Sequence, residues 1–153
     1  MLEPEFIEAI RAAVGPDGYT QAADALEEYG ADASKQSGPA ELVARPRTTD
    51  EVAAIARLCH QHRVSLTVRG GGTGYTGGAV PALGGVVLTM ERFTRILEID
   101  EVNLLAVVEP NAVTGDLQRA VEAVGLFYPP DPASLDQCAL GGNIAECAGG
   151  PRA

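Results

Sequence analysis

"TVRGGGTGYTGG", residues Thr67–Gly78, sets six glycines among twelve residues directly behind the apolar, β-branched run at 64–68. Gly72-Thr73-Gly74-Tyr75-Thr76-Gly77 fits the letters GxGxxG, the dinucleotide fingerprint. That motif works only when its third glycine opens a helix whose N-terminal N–H groups face a pyrophosphate. Here the chain continues as "GAVPALGG" (78–85), with Pro81 and two more glycines, and no helix can start there. No lysine follows these glycines as a phosphate-binding GxxxxGK[ST] loop demands. The stretch therefore reads as a long glycine-rich loop leaving a strand.

Such a loop can present consecutive N–H groups to an anion with no Cβ in the way. Thr73 and Thr76 add hydroxyls and Arg69 a guanidinium, parts that suit a pyrophosphate. The alternative is a plain connection or a tight crossover between strands. A second stretch, "PPDPASLDQCALGGNIAECAGG" (129–150), combines a stiff proline approach with Gly141-Gly142-Asn143 and a short helical pattern of Leu140, Ile144 and Cys147. A helix beginning near Gly141 would offer further free N–H groups. Two such stretches in one small chain suggest a single extended ligand touched at two points.

Outward from these loops the patterning is regular. Leu2, Phe6, Ile7 and Ile10 share a helix face that Gly15-Pro16 stops, and a second short helix ends at Gly30. Residues 31–40 read as a loop, and "ELVARP" as a strand stopped by Pro46. Thr48 and Glu51 form a capping box for a helix with Val52, Ile55, Ala56 and Cys59 on one face. His60 and His62 in its last turn read as surface residues suited to the helix C-terminus, not as metal ligands. "VSLTV" and "GVVLTM" are strands flanking the glycine loop, and "RILEI" and "LLAVVE" form a hairpin across Asp100–Asn103. A last helix has Thr114 as candidate N-cap, Leu117, Val121 and Val124 on one face, and Gly125 as its stop. The order predicts an α+β (α/β-like) fold, a small mixed sheet with flanking helices and some parallel pairing.

The 153 residues suffice for one core, which would bury about 68–70% of the unfolded surface. Apolar residues are 46% of the chain and aromatics only 5%, so Ala, Val, Leu and Ile must fill that core. A formal charge of -10 argues against nucleic acid and anionic membranes as partners. Cys59, Cys138 and Cys147 show neither CxxC spacing nor an even disulfide set and are expected to be free thiols. Glu3, Glu5 and Glu8 stand where a signal peptide would be basic, and no stretch is apolar enough to span a membrane. The expectation is a cytoplasmic protein.

The ordered segments "ELVARPRTTDEV", "LTVRGGGTGYTGGAVP", "GGVVLTMERFTRILEID", "VVEPNAVTGDL", "FYPPDPAS" and "GGNIAECAGGPRA" resemble the N-terminal part of the PCMH-type FAD-binding domain of the vanillyl-alcohol-oxidase flavoproteins. The resemblance is to the glycolate oxidase FAD-binding subunits and FAD-linked D-lactate dehydrogenases, and runs from about Tyr29 to the last residue. It implies an N-terminal helical segment (1–30) followed by an incomplete FAD-binding subdomain (31–153). It implies that Arg69, Gly70, Gly71, Gly72, Thr73, Gly74, Thr76, Gly77 and Gly78 wrap the FAD pyrophosphate. Pro132, Ser134, Gly141, Gly142, Asn143 and Ala145 would line the cofactor toward the flavin. Relatives that bind FAD covalently carry a histidine where this chain has Thr73, so the FAD is expected to be non-covalent.

The same resemblance implies oxidation of a 2-hydroxy acid of glycolate or D-lactate type by hydride transfer to flavin, with an iron–sulfur or second flavin-domain partner subunit. The substrate-side groups lie in a later half, so no catalytic residue is assigned here and these residues alone are expected to be inactive. Arg45, Arg47, Arg92 and Arg95 are expected to be surface or structural. The competing reading is a folded, cofactor-free structural or interaction module.

Overall fold

The computed structural model describes residues 1–151, and the chain falls into two compact units, 1–92 and 93–153. The mixed α+β architecture predicted from the sequence is present. In the first unit helix α1 (Pro4–Val14) leads through a 3-10 turn (Pro16–Gly18) to β1 (Tyr19–Thr20) and α2 (Ala23–Tyr29). Then come β2 (Leu42–Ala44), α3 (Thr49–His62), β3 (Leu66–Arg69) and β4 (Val86–Thr89). The sheet order is β1-β2-β4-β3, with β4 parallel to both neighbours and β1 antiparallel at the edge.

Burial follows from that order. The central strands β2 and β4 are buried throughout, as continuous apolar runs in parallel sheets are, while edge strand β3 is only half-covered. Phe6, Ile10 and Val14 of α1 and Ile55 and Cys59 of α3 complete the core against Leu42, Ala44, Val86 and Leu88. Thr48 caps α3 by accepting from the Glu51 N–H, but the Glu51 carboxylate accepts from the Arg47 N–H, one residue before the cap, instead of closing the box on Thr48. Ala56, placed by its spacing on the core face, is exposed, because the buried stripe is narrow and runs through Ile55 and Cys59. Burial alone pushes the Cys59 thiol up to about 11, which keeps it protonated and inert.

The second unit holds the antiparallel hairpin β5 (Ile96–Asp100) and β6 (Leu105–Val108), then α4 (Thr114–Glu122) and α5 (Leu140–Ala145). Asp100 pairs with Leu105, so the hairpin loop is shifted by one residue to 101–104. The Asp100 carboxylate folds the turn by accepting from the Val102 and Asn103 N–H groups. Ala112, Leu117, Val121 and Leu140 form this unit's core. Thr114 is not the N-cap; that position is Val113, and Thr114 is fully buried in the first turn of α4. Val124, expected on the buried face, lies beyond the helix and is exposed, whereas Gly125 does reverse the chain at φ +79°.

Candidate functional site

Parallel neighbours need a long crossover, commonly a helix. Between β3 and β4 that crossover is the glycine stretch itself, residues 70–85, and it contains no helix. The loop is anchored at both ends: the Met90 N–H donates to the Arg69 carbonyl, and the Gly85 N–H donates to the Glu41 carboxylate. In between, the Ala33 N–H donates to the Gly72 carbonyl at 3.1 Å, and Val80 closes a turn on Gly77. Gly71, Gly74, Thr76 and Gly78 are exposed; Gly70, Gly72, Thr73 and Gly77 are half-buried. Nothing lies within 4 Å of where a Cβ on Gly74 would stand, so the backbone there is open to an incoming group.

Arg69 does not hang free over this loop. Its guanidinium donates to the Ala31 carbonyl and lies 5.5 Å from the Tyr29 ring centroid. Gly72, at φ +66°, passes so close that a Cβ there would fall on the guanidinium. The segment after α2, which composition marked only as a loop, thus forms a wall of the glycine stretch through Ala31 and Ala33. Its signal was weak in the sequence because backbone atoms make both contacts.

The second glycine stretch is built differently. A Cβ on Gly141 would meet the Pro110 carbonyl oxygen at 2.8 Å, the same oxygen to which the Gly141 N–H donates at 2.8 Å. Asn143 is buried, and its Nδ2 donates to Thr114 Oγ1 at 2.6 Å, with Cys138 Sγ 3.2 Å from the same hydroxyl. The Thr114 N–H in turn donates to the Cys138 carbonyl. This explains why Thr114 is not a cap: its hydroxyl is the acceptor at the centre of a buried cluster. Pro132 is buried and Ser134 half-buried, and Ser134 O accepts from the Gln137 and Cys138 N–H groups. Gly142 and Ala145 are exposed, and Gly142 again has nothing within 4 Å of a would-be Cβ. Ile144 and Cys147, read as the apolar side of this helix, point outward instead.

Of the arginines expected to be surface or structural, Arg47 is exposed and the other three are held by protein groups. Arg45 lies 3.5 Å from Glu91 and 5.3 Å from the Tyr29 ring centroid, Arg92 donates to the Arg45 and Asp17 carbonyls, and Arg95 grips Glu109. Hydrogen bonds from the Arg95 side chain and backbone hold the Glu109 carboxyl below its usual range. His60 and His62 are exposed, His62 with its edge against Phe6. Among the described residues no group of His, Cys, Asp and Glu could hold a metal ion. No helix among them is long and apolar enough to cross a membrane.

Residues 40–153 match the FAD binding domain family. The chain belongs to that family. It is 43% identical to the glycolate oxidase subunit GlcD of Bacillus subtilis (strain 168), over 99% of this chain and 33% of the relative. It is 38% identical to a D-2-hydroxyglutarate dehydrogenase of Stutzerimonas stutzeri (strain A1501), over 98% and 32%. With a D-lactate dehydrogenase of Anaerostipes hadrus it shares 34%, over 98% and 32%. The chain thus spans about a third of the length of these relatives.

Solved structures share the fold. An alkyldihydroxyacetonephosphate synthase superposes with a TM-score of 0.86 at 22% identity, over 98% of this chain and 33% of that one. A p-cresol methylhydroxylase gives 0.76 at 22%, over 92% and 28%. The FAD-binding resemblance seen in the sequence thus holds through the family match, FAD is that family's cofactor, and these solved structures share the fold. The residues present fit that cofactor: each unit exposes a glycine surface, at Gly74 and at Gly142, where backbone can meet a phosphate or ring edge without a side chain between.

Proposed function

We propose that this chain is the FAD-binding portion of an FAD-linked oxidoreductase that oxidises a 2-hydroxy acid of the glycolate or D-lactate type. The observation that carries the proposal is the glycine crossover of β3 to β4, whose open backbone at Gly74 suits an anion and whose sequence belongs to an FAD-binding family. Glycolate oxidase subunits, a D-lactate dehydrogenase and a D-2-hydroxyglutarate dehydrogenase among its relatives support the substrate class.

In this reading the backbone from Arg69 to Gly74, with Thr76, Gly77 and Gly78, receives the pyrophosphate. Pro132, Ser134, Gly141, Gly142 and Ala145 line the cofactor from the second unit, and Asn143 contributes by holding that segment, since its side chain is turned to Thr114. Bound FAD supplies the hydride acceptor. The chain's own part is to bind and orient the cofactor; no group that would hold the hydroxy acid is assigned among these residues, and no turnover is expected from them alone. Thr73 has no ring nitrogen for a histidyl–flavin bond, which supports non-covalent binding. The name "subunit" borne by the glycolate oxidase relatives supports a partner chain; an iron–sulfur or flavin-bearing one that takes the electrons onward is the partner this reading calls for.

Titration with FAD, following flavin fluorescence and melting temperature together, tests the proposal, with AMP and NAD as controls. Saturable FAD binding that raises the melting temperature and is lost on denaturation and washing is expected. Preference for NAD, or a cooperatively melting chain that binds no flavin, overturns it, the latter in favour of a cofactor-free module.

A further inference from the structure

Tyr29 ends α2, far in sequence from the glycine loop, yet its ring lies within cation–π reach of two guanidiniums, Arg45 at 5.3 Å and Arg69 at 5.5 Å. Its hydroxyl donates to Glu91, and Glu91 also lies 3.5 Å from Arg45 Nε. The ring is thereby fixed from three sides. Arg69, resting on it, spends a donor on the Ala31 carbonyl, and its Nη2 and Cζ occupy the space that a Gly72 side chain would need. Gly72 is then tied from its other side by the Ala33 N–H.

We infer that Arg69 is a strut beneath the glycine loop, not a phosphate ligand, and that Tyr29 is the positioning residue that holds the strut. The inference rests on the reading of the loop as the pyrophosphate site. A guanidinium packed against an aromatic face and a carbonyl is already committed, and a planar fork loses less freedom than an ammonium in such a place. Its contribution to an anion is to keep residues 70–74 in one shape before any ligand arrives, which lowers the ordering cost of binding.

The Ala33 amide reports on that shape, because it donates to Gly72. Hydrogen exchange is measured on the whole chain without cofactor, and FAD affinity on the same variants. Tyr29→Leu, which removes the platform, is expected to speed Ala33 exchange about tenfold with Val87 and Leu88 of β4 unchanged, and to weaken FAD by a similar factor. Tyr29→Phe keeps the ring and is expected to stay within about twofold of the parent on both readouts. Arg69→Met added to Tyr29→Leu should accelerate Ala33 little further, since the two residues act as one unit.

Unchanged Ala33 exchange in Tyr29→Leu overturns the inference, as does acceleration spread equally into β4. Faster exchange with undiminished FAD affinity overturns it too. Should Arg69→Met weaken FAD while leaving Ala33 exchange untouched, Arg69 is a direct phosphate ligand and the strut is wrong. If Ala33 responds as expected but even the parent chain binds no FAD, the strut stands and the cofactor reading alone fails.

Discussion

The two glycine stretches share letters and differ in physics. In the first stretch the backbone at Gly74 is uncovered, while the Arg69 side chain and the Ala33 N–H prop the loop at Gly72. Around Gly141 the missing Cβ lets the chain press against the Pro110 carbonyl, and the buried Thr114–Asn143–Cys138 cluster fixes the segment internally. Gly74 uses the missing Cβ for access and Gly141 for closeness. A glycine count cannot tell these apart; the neighbours of the absent Cβ can.

The sharpest way to break this contrast is to add a methyl group to each. Gly141→Ala forces the Pro110 contact apart and should destabilise the chain by about 2–3 kcal/mol, read as a drop in denaturant midpoint. Asn143→Ala leaves the Thr114 hydroxyl without its short donor in a buried place, and a loss of about 1–2 kcal/mol is expected from the same measurement. Gly74→Ala should change stability by no more than about 0.5 kcal/mol, since nothing lies near the new methyl. FAD affinity should nevertheless fall in that variant; equal affinity would show that the open face at Gly74 is not where the cofactor sits.

The smallest expected effect sharpens the comparison from the second unit's side. Arg95 holds Glu109 below its reference value of 4.5, so this carboxylate contributes stability that is present above pH 4.5 and lost as pH falls through its depressed folded value. Glu109→Gln should flatten the melting temperature's dependence on pH across that acid window. An unchanged profile would mean that the exposed Arg95 holds Glu109 too loosely to matter.

The elements were legible in the sequence because local rules and tertiary demands agree along most of the chain. Gly15, Gly30 and Pro46 end what they were read to end, and β2 and β4 show the unbroken apolar runs that central parallel strands need. The misreadings arise where a distant partner decides. Thr114 looks like a cap until Asn143, later in the chain, claims its hydroxyl. Ile144 fits a helical stripe with Leu140, yet the buried side of this short helix runs through Leu140 and Asn143, whose amide reaches Thr114, and Ile144 is left outside it. The contacts of Arg69 were hidden for the same reason: its neighbours in sequence are the loop, while Tyr29 and Ala31, which it touches, were invisible to spacing.

The helix-free crossover between β3 and β4 also sets an order of events during folding. Every β3–β4 contact requires the whole of residues 70–85 to close, and a glycine-rich segment surrenders more conformational freedom on closing than any other composition. No helix forms early within it to shorten the search. Helices α1 and α3 can form from local contacts, so the edge strand β3 should dock onto β4 late, and the folding rate should respond to changes in loop entropy more strongly than to changes at the strand's own side chains.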